Sequence, residues 1–215
     1  MPFPKGSLQV FRQAGEILMK HFNSNYKVMF KNDNRSSPVT IADLEADACI
    51  RAELRALFPQ DKILSEEHDE IPSDFSGRVW MVDPLDGTQE YTKRHNGFSV
   101  CLGLCQDGQP VLGVVFNPAR NELFYAERGR GAFLFQGKEP PGKERQQLAV
   151  SSISRLRDAH LVTRIKSPAH RPLDPFVEAL SVRNRHSDGG CALKMCTVAQ
   201  GKADIYIHTS FHLSK

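Results

Sequence analysis

No apolar stretch of this 215-residue chain exceeds the length of a strand, which leaves no segment able to cross a bilayer as a helix. The N-terminus, MPFPKGSLQVFRQAGEILMKHF, lacks the unbroken apolar centre of a secretory leader, so a cytoplasmic location is expected. Cysteine is sparse and scattered: Cys49, Cys101, Cys105, Cys191 and Cys196 form no CxxC pair and are odd in number. That argues against a disulfide framework and against structural zinc, and leaves mostly buried, small apolar thiols as the expectation. Excess charge is small as well. A net +3 gives no reason to expect a nucleic-acid polymer as partner. The charge is uneven, however: Ser151–His186 carries seven Lys/Arg against three acids, either a solvated face or a positive field for an anionic ligand.

A composition of 40% hydrophobic residues is ample for a core. Leu8, Phe11, Ala14, Leu18 and Phe22 recur at helical spacing and predict a first helix. Lys31–Pro38 reads as a loop. Thr40–Phe58 predicts a second amphipathic helix with Ile41, Leu44, Ala48, Leu54 and Leu57 near one face, ended by Pro59. Strand patterns follow at Val79–Val82, Phe98–Cys105, Val111–Asn117, Glu122–Ala126 and Gly131–Phe135. The short turns between them imply an antiparallel meander. Glu139–Gln146, with Pro140-Pro141-Gly142, is the linker candidate, dividing an N-terminal domain (1–145) from a smaller α/β unit (146–215). In that unit Ala159–Thr163 and Asp204–Ile207 read as strands. Pro175–Leu180 reads as part of a helix, and Cys191–Gln200 as a second helix stopped at Gly201. The fold class is α+β.

Chemistry concentrates in Val82–Thr92, VDPLDGTQEYT. An apolar strand empties there into an acidic turn, where Pro84 fixes its own φ and holds Asp83 extended. Asp83, Asp86 and the carbonyl of Leu85 can then converge as hard oxygen ligands for Mg²⁺. Other segments are ambiguous when taken singly. Glu66 and Glu67, beside His68, Asp69 and Glu70, fit either a metal ligand or a solvated acidic turn. Thr40 and Asp43 match a helix-capping pattern. Lys194 fits a solvent-facing helix position.

Together, SPVTIAD (Ser37–Asp43), LSEEH (Leu64–His68), WMVDPLDGTQEYTKR (Trp80–Arg94) and GCALK (Gly190–Lys194) resemble the inositol monophosphatase-like superfamily of Mg²⁺-dependent, lithium-sensitive phosphomonoesterases. The QEY that follows DPLDGT is similar to the CysQ branch, the 3′(2′),5′-bisphosphate nucleotidases. The resemblance implies a layered α/β/α/β/α sandwich and two or more Mg²⁺ ions. It implies Glu66, Asp83, the Leu85 carbonyl and Asp86 as metal ligands, and Asp43 with Thr88 as the catalytic pair that orients and deprotonates water. Gly87 and Thr88 would receive phosphate at a helix start, with Gly190 and Lys194 on the nucleotide. The implied reaction converts adenosine 3′,5′-bisphosphate to AMP and phosphate, a step of sulfur metabolism. Alternatives are an inositol 1-phosphate or other sugar or polyol phosphatase, and a non-catalytic nucleotide- or metal-binding relative.

The chemistry is coherent on its own terms. A phosphate monoester dianion repels hydroxide, and two ions roughly 3.5–4 Å apart neutralise it while activating water. No cysteine or histidine stands out as a nucleophile. One departure is expected to matter: the family's Trp-Asp metal motif, due after Ala203–Ile207, has no counterpart before Lys215, since Trp80 is the only tryptophan. The sequence thus reads as a second domain incomplete at its C-terminal end.

Overall fold

The computed structural model describes residues 7–24, 28–30, 38–68, 71–137, 145–163, 179–186 and 189–208. Helix α1 spans Ser7–Phe22, α2 Ile41–Leu57, α3 Thr88–Thr92 and α4 Cys191–Ala199. The strands are β1 (Val28–Phe30), β2 (Pro38–Thr40), β3 (Lys62–Ser65), β4 (Arg78–Asp86), β5 (Ser99–Gln106) and β6 (Gln109–Asn117). They continue with β7 (Glu122–Glu127), β8 (Gly131–Gln136), β9 (Arg145–Gln147), β10 (His160–Val162), β11 (Asn184–His186) and β12 (Ile205–Tyr206).

Strands β3 to β9 form one seven-stranded sheet in chain order. From β4 to β9 every pairing is antiparallel, the meander that the short turns imply. Only β3 joins in parallel, beside β4, so both strands end at the same edge of the sheet. A separate parallel sheet has the order β11-β10-β12, and β1 pairs with β2. The molecule is a mixed α+β fold.

The main core lies between the large sheet and α1 and α2. Val10, Phe11, Ala14 and Leu18 from α1 meet Ala42, Ala46, Ile50 and Leu54 from α2, over Trp80, Val82, Val100, Leu102, Val114 and Phe116. Side chains alternate across a strand, so Val115 faces the other way. It joins Phe124 and Leu134 against Leu193 and Cys196 of α4. The sheet is therefore covered on both faces, with α4 opposite α1 and α2.

Several expectations need correction. The buried stripe of α2 is Ala42, Asp43, Ala46, Asp47, Ile50 and Leu54, whereas Ile41 and Leu44 are 38% and 39% exposed and Leu57 is also exposed. Alanines let α1 approach closely, and the two inward acids find hydrogen-bond partners, so bulk alone did not choose the face. The acidic turn is an extension of β4: Asp83 pairs with Cys101 and Asp86 with Ser99, so three steps along β4 match two along β5. That is a β-bulge, which re-aims side chains. Arg145 and Gln146, expected in a linker, belong to β9; residues 139–144 lie outside the described residues. So do Lys31–Ser37, Asp69 and Glu70, positions 175–178 of the expected helix, and Arg164, Lys166 and Arg171 of the basic segment. All five cysteines are free thiols, but only Cys196 is buried.

Candidate active site

Parallel pairing of β3 with β4 sets Ser65 opposite Val82, so the residues that follow each strand emerge side by side. The ladder continues one step further, as the Glu66 N–H donates to the Val82 carbonyl at 3.0 Å. The Glu66 and Asp83 side chains are in hydrogen-bond contact. Asp83 Oδ1 also accepts the Leu85 N–H at 3.0 Å. Burial, then Glu66, then Asp86 push the Asp83 carboxyl well above the usual carboxylate range. Glu66 itself is exposed at the rim, so the acidic segment is both solvated and adjacent to Asp83.

The bulge carries Asp86 to the start of α4. There Asp86 Oδ1 accepts the Cys191 N–H at 3.1 Å and Oδ2 accepts the Ala192 N–H at 2.9 Å. Ser99 Oγ donates to Oδ2 at 3.4 Å. The N-cap residue of α4, Gly190, has no side chain to cap the helix, and Asp86 takes that role. Burial raises the Asp86 carboxyl, while the Ala192 and Cys191 amides and the Lys194 ammonium oppose the rise.

Lys194 is only 5% exposed, contrary to the solvent-facing reading. Its Nζ donates to the Gly189 carbonyl and to the Gly190 carbonyl at 3.4 Å, tying the helix back to its own leading loop. That loop is docked by the Gly190 N–H on the Gly97 carbonyl at 2.8 Å. Gly87, the N-cap of α3, has φ 88°, and a Cβ there would lie 2.8 Å from the Gly97 oxygen. Only glycine meets both demands.

Asp43 is 2% exposed at the start of α2. Its Oδ2 accepts the Thr40 N–H at 2.8 Å and the Thr40 hydroxyl at 2.5 Å, completing a capping box. Burial lifts its carboxyl to about 7 despite these bonds, and the charge of Glu67 adds to the rise. Thr88 Oγ1 donates to the Leu85 carbonyl at 3.2 Å. No hydrogen bond joins Asp43 to Thr88 among the described residues.

The structure thus brings Asp83, Leu85, Asp86, Gly87 and Thr88 onto one strand-end segment, with Glu66 at the neighbouring end of β3 and with Gly190 and Lys194 behind Asp86. Among the described residues no three acidic, histidine or cysteine side chains close on a single point as a finished metal cage. They form adjacent pairs instead, Glu66 beside Asp83 and Asp83 beside Asp86. The donor set is carboxylate and carbonyl oxygen, suited to a hard cation. Positive charge at this cluster relieves the mutual repulsion that raises Asp83, so the residues fit Mg²⁺. Asp47, Ser65 and Ser99 also border this cluster, Asp47 bonded to Ser65 and Ser99 to Asp86, and no sequence motif assigns them a role. The i, i+4 spacing of Asp43 and Asp47 was a usable signal, since it aims both acids the same way.

Known proteins share this arrangement of chain. The 3′(2′),5′-bisphosphate nucleotidase CysQ of Escherichia coli K12 is 36% identical over 205 residues, covering 92% of this chain and 77% of that protein. The inositol-1-monophosphatase of Bacillus subtilis is 31% identical over 198 residues, covering 91% and 72%. The solved structure of the Thermotoga maritima IMPase superposes with a TM-score of 0.78 at 31% identity, covering 93% of this chain and 73% of that one. No helix among the described residues is long and apolar enough to cross a membrane. The inositol monophosphatase family model matches residues 2–214, and the chain belongs to that family of phosphatases.

Proposed function

We propose that this chain is a Mg²⁺-dependent phosphomonoesterase of the cytoplasm that removes the 3′-phosphate of adenosine 3′,5′-bisphosphate, giving AMP and phosphate. The observation that carries the reading is the strand-end cluster of Glu66, Asp83 and Asp86, in a chain more similar to the CysQ nucleotidase than to the inositol-1-monophosphatase compared with it. Glu66, Asp83, the Leu85 carbonyl and Asp86 hold the metal. Bound Mg²⁺ neutralises phosphoryl oxygens and lowers the pKa of water. Thr88 and Asp43 orient the attacking water. Asp43, with its carboxyl at about 7, suits the removal of a proton near neutral pH. The first N–H groups of the Gly87–Thr88 helix start, which have no intrahelical acceptor, receive the phosphate. Gly190 and Lys194 shape the nucleotide side.

The test is phosphate release from adenosine 3′,5′-bisphosphate beside inositol 1-phosphate, with Mg²⁺ and with EDTA. Faster, Mg²⁺-dependent release from the nucleotide is the expected result. Preference for the inositol substrate overturns the nucleotide assignment. Nucleotide binding by calorimetry without any phosphate release overturns the catalytic reading.

A further inference from the structure

Asp47 sits one helical turn beyond Asp43, only 2% exposed, and the chemistry described above makes no use of it. Its two oxygens are both engaged. Oδ1 accepts the Ser65 hydroxyl, and Oδ2 accepts Arg51 Nε at 2.6 Å, an ion pair within α2. Ser65 is the last residue of β3, buried, and its Oγ accepts the Glu67 N–H at 3.4 Å. The hydroxyl is thus used as donor to α2 and as acceptor from the turn that carries Glu66. On the other side that turn is held by the Glu66 N–H on Val82.

A buried carboxylate is costly unless paired, and a serine facing an apolar helix would leave its hydroxyl unmet. Each needs the other. Glu66 is exposed in the turn that directly follows Ser65, so the end of β3 sets the direction from which its side chain meets Asp83. We infer that Asp47 is a positioning residue: through Ser65 it fixes the end of β3 and thereby the direction in which Glu66 reaches the metal. This inference rests on the reading of Glu66 as a metal ligand. Arg51 pairs with the second Asp47 oxygen, which makes Arg51–Asp47–Ser65 one chain from the outer part of α2 to the site. Groups that orient a metal ligand are typically worth 10–100-fold in metal affinity or activity.

The experiment titrates Mn²⁺ into the full chain by calorimetry and melts each protein in EDTA. The variants are Ser65→Ala, Asp47→Ala, Asp47→Asn and Glu66→Gln. Ser65→Ala and Asp47→Ala are expected to weaken Mn²⁺ binding about tenfold, while Asp47→Asn, whose amide oxygen still accepts the Ser65 proton, stays within about twofold. Should Asp47→Ala fail to fold, Ser65→Ala, which removes one oxygen only, decides alone. Unchanged Mn²⁺ affinity in Ser65→Ala, with affinity lost in Glu66→Gln, overturns the positioning role and leaves the metal site standing. Unchanged affinity in Glu66→Gln overturns the metal assignment itself. Lower melting temperatures without a change in affinity assign Asp47 and Ser65 to stability alone and overturn the inference.

Discussion

Gly190 is packed so closely on Asp86 that a Cβ at Gly190 would overlap both oxygens of the Asp86 carboxylate. The glycine is there for space. Gly190→Ala must displace either α4 or the carboxylate, and both outcomes spoil the metal side of the site. Activity is expected to fall about 10–100-fold, with a loss of about 1–3 kcal/mol in stability from overpacking. Phosphate-release kinetics and urea unfolding check the two effects separately.

Asp86→Asn tests the double role of that carboxylate. An amide offers one acceptor and one donor where two N–H groups now find two acceptors. The donor end would face an N–H, and the charge for Mg²⁺ is gone. Loss of the helix cap is expected to cost about 1 kcal/mol, a small effect, while turnover falls by about two orders of magnitude or more. Full turnover in the variant removes Asp86 from the metal site.

Lys194→Met keeps the bulk of the side chain and removes its charge. The Gly189 and Gly190 carbonyls lose their ammonium donor, and Asp86 loses the cation that opposes its rise. Destabilisation by about 2 kcal/mol is expected, together with a higher KM for the nucleotide as the start of α4 loosens. Thermal melting and steady-state kinetics measure both, and unchanged values in each place Lys194 outside the site.

Asp43 gives stability a definite pH dependence. Its carboxyl is raised from 3.8 to about 7, so between these values the native state keeps a proton that the unfolded chain has released. Stability from this group is fully present below pH 4 and is lost as pH rises through 7, by up to about 1.4 kcal/mol per unit. Asp43→Asn, which keeps an acceptor for Thr40, removes that slope. The wild type is expected to gain on the variant at pH 5 and to lose ground at pH 8, in urea unfolding with EDTA. Activity of the variant should drop about 10²–10⁴-fold at either pH.

Patterning carried the meander, the two long helices and α4 into view from sequence, because each has a clear period or a punctuating turn. Strand β3 escaped it. KILS has only two apolar residues and runs directly into acids, so its parallel pairing with β4 is a tertiary fact. The inward face of α2 was misjudged for a related reason: alanine and aspartate fill it, and their burial depends on α1, Thr40 and Ser65. At the site, the motifs drew out the acids of DPLD, which lie at the end of β4. The bulge between Asp83 and Asp86 and the helix cap on Cys191 and Ala192 join residues too distant in sequence for any local pattern to link. Thr40 and Asp43 are instructive in another way. Their capping function, the plain reading, is fulfilled, and the same burial that completes it gives Asp43 its raised proton affinity.

The bond from Ala192 to Asp86 spans 106 residues. A chain emerging from the ribosome can complete the meander and both flanking helices while this acid still lacks its anchor. Contacts of such separation form late, since loop closure must precede them. On the reading proposed above, a nascent chain therefore lacks the anchor of Asp86 until the residues around position 192 have docked, however well its N-terminal half has already folded.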